Sequence, residues 1–279
     1  MIKQLINGQP EDCVATTDRG LLYGDGLFET LTVVDGVLCH WQRHLSRLQS
    51  GCERLGIQTV DVVTLEQECL SLAADIDRAV LKIIVTRGSG GRGYRAPEEP
   101  SATRIVQLHD WPGFLPACAE HGVAVRVCNT RLGHNPALAG IKHLNRLEQV
   151  LARQEWDDAD IMEGLLRDSS GYLIEGTMSN VFLVREGCLL TADLQRCGVA
   201  GIMRTLILEL AKQLSIDVKI SHVEMKHLQQ ADEVFICNSL MGIWPVVAVD
   251  ARAYTKGPIT TRLQNLLDPC ADTGNSWQA

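Results

Sequence analysis

The 279 residues carry 46% hydrophobic and 22% charged side chains, and 26 basic against 34 acidic residues give a formal charge of −8. This composition excludes a disordered chain and offers no basic excess for nucleic acid or an anionic membrane, while a local basic pocket for a small anion stays compatible with it. At roughly 150 residues per domain the length fits one large domain or two modest ones, and no run reaches the ~18 apolar residues of a membrane helix.

In chain order, MIKQLING (1–8) and LFETLTVVDGVLC (27–39) read as strands, with a turn at Asp35-Gly36. Trp41, Leu45, Leu48, Cys52 and Leu55 then recur at helical spacing, and Gly56 stops the helix. A second helix is predicted from Thr64 to Ala74, a strand over 79–86, the glycine-rich RGSGGRGY (87–94), and a strand over 103–108. Two prolines and a glycine between His109 and Pro116 predict a linker, so the expected organisation is a small domain 1–108, a linker 109–116 and a large domain 117–279. Strands are predicted at 122–129, 160–167, 172–175, 180–184, 188–191, 233–237 and 246–249. RLGHNPALAG (131–140) is a turn-rich loop before a helix with Leu144, Leu147, Val150 and Leu151 on one face. Gly201 to Leu214 is a further helix, and the polar tail 269–279 is expected to fray. The pattern is a mixed α/β chain.

The ten cysteines include no C-x-x-C pair and are expected as reduced, small core hydrophobes in a reducing cytosol. No His, Cys or carboxylate cluster has metal-ligand spacing, so no metal is expected. The N-terminal stretch lacks the apolar core of a secretory signal.

Candidate chemical residues have two readings each. Gly88, Gly90 and Gly93 satisfy G-x-G-x-x-G, but Tyr94-Arg-Ala-Pro-Glu-Glu-Pro100 cannot open the helix that a dinucleotide site needs. The stretch is then a plain loop, or a substrate-facing one carrying Arg87, Arg92 and Tyr94. Lys142 is a surface lysine, or an amine able to form a Schiff base if desolvated. Glu175 is a solvated turn residue, or a carboxylate held near a cofactor nitrogen. His44 and Arg47 lie off the apolar stripe of their helix, on a solvated face or with Arg47 reaching toward an anion. The helix start at Gly201 leaves the amides of Ile202 and Met203 available to an anion, as any helix start does.

The order of these segments is more specific than any one of them. DRGLLYGDGLFET (18–30), His44-x-x-Arg47-Leu48, VTRGSGGRGY (85–94), GIKHLNRLEQV (140–150), Glu175-x-x-x-Ser179-Asn180-Val181-Phe182, GIMR (201–204) and EVFICNSL (233–240) follow one another along the chain. In this it resembles the fold-type-IV pyridoxal-phosphate enzymes, the class of branched-chain and D-amino-acid aminotransferases. The resemblance implies a two-domain architecture with pyridoxal 5'-phosphate between a small and a large domain, in a cytoplasmic homodimer acting on a small molecule. It implies Lys142 as the Schiff-base lysine and catalytic base, and Glu175 as the partner of the pyridine nitrogen. Arg47, Ile202 and Met203 become the phosphate ligands. Ser239, next to Asn238, falls where relatives often have a phosphate-binding threonine, although Cys237-Asn238-Ser239 departs from their T-G-T pattern. Arg92 aligns with an arginine that takes the substrate carboxylate in the D-amino-acid enzymes, and Tyr94 and Thr30 are implied to face substrate. RGSGGRGY and LAGIKHLNRLEQVL are most similar to the lyase branch of the class. That branch implies a β-elimination releasing pyruvate and 4-aminobenzoate for folate synthesis. The alternative is a branched-chain or D-amino-acid aminotransferase on the same scaffold. A non-catalytic binding protein is disfavoured, because Lys142, Glu175 and Arg47 are all present.

Overall fold

The computed structural model describes residues 3–114, 116–267 and 270, and the chain divides into two compact units. Among the described residues one unit takes 3–112, 141–145 and 270, and the other takes 113–114, 116–140 and 146–267.

The first unit contains β1 (Lys3–Ile6), α1 (Arg19–Tyr23), β2 (Gly26–Val34), β3 (Val37–Leu38), α2 (Trp41–Leu55), α3 (Val62–Ala73), β4 (Arg78–Thr86) and β5 (Thr103–Asp110). Its strands form one antiparallel sheet in the order β1-β5-β4-β2-β3. The hairpin at Asp35-Gly36 takes positive φ at both residues, the geometry that matches the twist of two-residue hairpins. Period-2 alternation along β2 sends Leu27, Leu31 and Val33 into a core shared with Leu45, Leu48 and Cys52 of α2 and Leu65 and Cys69 of α3. Asp61 caps α3 by accepting the Thr64 amide, and Gly56 ends α2 in the left-handed region. The 141–145 segment lies along the start of β2: the Phe28 amide donates to the Lys142 carbonyl at 2.9 Å and the Leu144 amide to the Gly26 carbonyl at 3.0 Å.

The second unit contains α4 (Pro116–His121), β6 (Val123–Leu132), α5 (Leu147–Arg153), β7 (Ile161–Asp168), β8 (Leu173–Gly176), β9 (Asn180–Arg185), β10 (Cys188–Ala192), α6 (Ile202–Gln213), β11 (Val218–Ser221), α7 (Met225–Gln229), β12 (Glu233–Asn238), β13 (Gly242–Val249), β14 (Arg252–Ala253) and α8 (Pro258–Leu266). Its main sheet runs β11-β10-β9-β12-β13-β6-β7-β8. A further β8–β9 pairing at Glu175 and Asn180 closes β9-β12-β13-β6-β7-β8 on itself. Both faces of β9 are buried. Val181 and Leu183 enter the core with Val125, Leu165 and Trp244, while Phe182 and Val184 pack beneath Met203 and Ile207 of α6 and Leu263 of α8. That two-sided burial explains the continuous apolar run NVFLV.

Four expectations need correction or qualification. His109 and Asp110 complete β5 and Pro116 opens α4, so regular structure enters the expected linker at both ends. The helix after Lys142 begins only at Leu147, and Leu147, Val150 and Leu151 are exposed rather than packed into this chain. A helical stripe specifies an apolar face, not what covers it. His44 and Arg47 are buried, not on a solvated face, because Glu29 supplies a partner inside the fold. Cys39 and Cys270 are joined as a disulfide with Cα atoms 4.4 Å apart, so the reduced-bystander reading does not hold for this pair. The remaining eight cysteines are free thiols. The frayed-tail expectation lies outside the described residues apart from Cys270.

Candidate active site

In the first unit the site begins with an acid placed where the strand pattern calls for an apolar residue. Glu29 occupies the inward register of β2, between Leu27 and Leu31, and is 1% exposed. Two residues one turn apart on α2 meet it. Arg47 donates through Nε at 2.8 Å to one carboxylate oxygen and through its Nη2 at 2.5 Å to the other, a bidentate clamp. His44 places Nδ1 2.7 Å from Glu29 Oε2. Burial alone would raise the Glu29 pKa, but the Arg47 charge and hydrogen bonds, joined by His44, bring it down to about 2. Burial lowers the His44 pKa against the pull of Glu29, and the Arg47 and Lys142 charges lower it further. A neutral His44 therefore donates its Nδ1–H to an ionised Glu29.

The opposite register of β2 faces the amine. Lys142 is half-buried, with Nζ 4.3 Å from the Phe28 ring centroid. Thr30 follows on the same face of the strand, and its register partner Lys82 on β4 has Nζ 5.7 Å from that same ring. Lys82 escaped the sequence reading; its signal is a lysine inside an otherwise apolar strand, AVLKIIVT. Arg92 and Tyr94 sit on the exposed 87–95 loop, away from these contacts, where Tyr94 packs edge-on to Tyr23. Arg19 holds this loop by donating to the carbonyls of Gly93, Tyr94 and Arg95 while its Nε binds Asp25.

In the second unit Glu175 is 3% exposed and accepts the Val199 amide at 2.7 Å. Asn180, its ladder partner, donates to the Val199 carbonyl at 3.0 Å, so both polar groups of that peptide segment are held. Gly198 beside it has φ +88°, a conformation few side chains tolerate. Gly201 then starts α6 without a capping side chain, and a Cβ there would lie 2.1 Å from Asn180 Oδ1. Ile202 and Met203 carry the first amides of this helix, and both side chains are buried. Ser239 is half-buried after β12. Asn238 donates to the Met178 carbonyl and accepts the Leu240 and Met241 amides, so it braces two turns. Burial pushes the neighbouring Cys237 thiol up to about 12, which keeps it unreactive. Arg146 has its pKa lowered by burial against the opposing charge of Glu175.

The first unit offers a half-buried amine and a clamped arginine, groups suited to an aldehyde and a phosphate; the second offers a buried carboxylate that accepts a backbone amide and a helix start kept clear by a glycine, groups suited to a ring nitrogen and a phosphate. The chain belongs to the amino-transferase class IV family, whose model matches residues 26–249. It is a mixed α/β enzyme of fold type IV, and the family uses pyridoxal phosphate.

Among its relatives, the crystal structure of a 4-amino-4-deoxychorismate lyase from Pseudomonas aeruginosa is 47% identical, covers 94% of this chain and 97% of that one, and superposes with a TM-score of 0.91. An aminodeoxychorismate lyase of Vibrio harveyi is 36% identical over 94% of this chain and 98% of its own length. The branched-chain amino acid aminotransferase of Escherichia coli has a TM-score of 0.83 at 25% identity, covering 98% and 97% of the two chains. Among the described residues no helix is long and apolar enough to cross a membrane.

Proposed function

We propose that this chain converts 4-amino-4-deoxychorismate to 4-aminobenzoate and pyruvate, a β-elimination that feeds folate synthesis. The observation that carries this reading is the 47% identity to the Pseudomonas lyase across nearly all of both chains. Pyridoxal phosphate, when bound, supplies an electron sink for the pair left behind as a proton leaves the amine-bearing ring carbon. Lys142 would hold the cofactor covalently, and its Nζ as a free amine would take that proton. The bond from the neighbouring ring carbon to the enolpyruvyl oxygen breaks. Lys142 returns the proton as the enolpyruvyl group leaves, yielding pyruvate, and the ring becomes aromatic. Phe28 shields one side of the Lys142 amine from water.

Glu175 would keep the pyridine nitrogen protonated. Arg47, the amides of Ile202 and Met203, and Ser239 would hold the phosphate, with Asn238 fixing the backbone beside Ser239. Glu29 holds Arg47 through its Nε and Nη2, and His44 in turn holds Glu29. Lys82 and Thr30 lie on the strand face whose Phe28 ring meets Lys142 and suit a substrate carboxylate and hydroxyl; Arg92 and Tyr94 act from their loop. The exposed Leu147, Val150 and Leu151 face of α5 supports a homodimer, because a monomer gains nothing by presenting it to water. We place the enzyme in the cytoplasm.

The decisive assay supplies aminodeoxychorismate without a keto-acid acceptor and follows 4-aminobenzoate and pyruvate. Turnover only with an amino donor and a keto acid would instead make the chain an aminotransferase, the reading that its likeness to the Escherichia coli aminotransferase keeps in play. After borohydride treatment and desalting the wild type should keep the cofactor covalently attached by intact mass and Lys142→Ala should not, and the variant should slow turnover by at least about a thousandfold.

A further inference from the structure

We propose that Glu163 is a positioning residue for the cofactor: by holding the 176–179 turn it sets where Glu175, paired with Asn180, meets the bound ligand. The inference rests on the reading of Glu175 given above. Glu163 lies on β7, is 1% exposed, and takes five donors. Its Oε1 accepts the Gly164 amide at 2.8 Å, the Thr177 amide at 3.0 Å and the Thr177 hydroxyl at 2.5 Å. Its Oε2 accepts the Met178 amide at 3.2 Å and the Ser179 hydroxyl at 2.7 Å. Four of the five donors belong to the turn that follows Glu175 directly.

β7 fixes the strand that enters the turn, through the Leu166–Glu175 and Leu165–Gly176 pairs and the Thr177 amide on the Gly164 carbonyl at 3.0 Å, and the Glu163 side chain adds the hold on the 177–179 residues beyond it. β8 is four residues long, and its ladder with β9 is the single pair Glu175–Asn180, extended by the Gly176 amide on the Ser179 carbonyl at 2.7 Å. A Cβ at Gly176 would stand 2.7 Å from Glu163 Oε2 and 2.3 Å from Ser179 Oγ, so the carboxylate also requires the glycine next to Glu175. At the outer side Asn238 donates to the Met178 carbonyl, which ties the turn to the 238–241 segment. The pairing that closes the strands of the second unit is therefore held by Glu163 at the residue assigned to the pyridine nitrogen. A glutamine cannot replace it. The amide offers one acceptor oxygen, and its NH2 would meet donors at the other position.

The test compares Glu163→Gln with Glu233→Gln in the full chain. Glu233 is an equally buried carboxylate in the same unit, but it serves the start of α8 through the Ile259 amide, the Thr260 amide and the Thr260 hydroxyl. Each protein is stripped of cofactor and titrated with pyridoxal phosphate, following visible absorbance, alongside thermal midpoint, kcat and KM. Glu163→Gln should weaken pyridoxal phosphate binding by roughly 10–100-fold and lower kcat more than it changes KM, as losses of supporting hydrogen bonds do at other cofactor and metal centres. Glu233→Gln should lower the thermal midpoint yet bind the cofactor within about threefold of wild type. Wild-type binding by Glu163→Gln, or an equal loss in both variants, overturns the proposal. Failure of the wild type to bind pyridoxal phosphate overturns the underlying reading of Glu175, and the proposal with it. Should Glu163→Gln not fold, the double variant Thr177→Val with Ser179→Ala removes two donors and leaves the carboxylate. It should weaken cofactor binding by about 3–10-fold, and wild-type binding there is likewise fatal to the proposal.

Discussion

In the first unit the buried carboxylate of Glu29 is met by a full cation, Arg47, and by the imidazole of His44; in the second, Glu163 is met by five N–H and O–H donors of the backbone and of two hydroxyl side chains. The two solutions do different work. A bidentate ion pair orients one side chain, which suits the phosphate role proposed for Arg47. A set of dipolar donors orients a stretch of backbone, which suits a turn that must present Glu175 and Asn180. Breaking the first leaves an uncompensated buried charge, whereas trimming the second removes one hydrogen bond at a time.

The largest expected effect comes from removing the cation. Arg47→Ala should cost about 3–5 kcal/mol in chemical denaturation, because Glu29 stays buried without its charge partner, and should also weaken pyridoxal phosphate binding. A cost below about 1 kcal/mol would show that the pair carries little of the unit's stability.

Acid comes next. Arg47 and His44 depress the folded pKa of Glu29 from its ordinary 4.5 to about 2, so its contribution is present above about 4.5 and is lost as pH falls toward 2. That contribution is on the order of 3 kcal/mol. Stability measured across this window should fall more steeply for the wild type than for Glu29→Gln. Parallel curves would mean that other carboxylates dominate.

The first unit is also stapled by Cys39–Cys270, residues 231 apart in sequence. Cys39→Ser should cost about 2 kcal/mol relative to the oxidised protein, at the low end for so long a loop because cross-links often deliver less than loop length predicts. Differential alkylation with mass spectrometry should find this pair blocked and the other eight thiols reactive after unfolding. In the second unit Ser179→Ala, which removes one of the five donors on Glu163, should cost only about 1 kcal/mol. A loss as large as that of Arg47→Ala would erase the contrast between the two carboxylates.

Much of the scaffold was legible in the sequence. The period-2 run from Leu27 to Val34 and the helical stripe from Trp41 to Leu55 appear as β2 and α2, and Gly201 does begin a helix. The partners of the charged residues were not legible. Glu163 lies 14–16 residues from the turn it holds, and Glu29 lies 18 from Arg47, separations over which periodicity carries no information. One signal was available. Glu29 and Glu163 are acids at inward positions of apolar strands, where a charge is tolerated only with partners. The α5 stripe misled for the opposite reason, since an apolar face records that something covers it without saying whether that is this chain or another.

By itself the sequence determined the type of each main element, the faces of its strands and, through the order of its motifs, the class of enzyme. These depend on short-range periodicity and on residue identity, which the chain carries locally. Only the tertiary structure decided that α2 turns His44 and Arg47 inward onto Glu29, that Cys39 meets Cys270, and that Glu163 grips the turn after Glu175. Those outcomes depend on which distant segments share a buried space, where an unpaired charge is too costly to leave and every donor must find its acceptor.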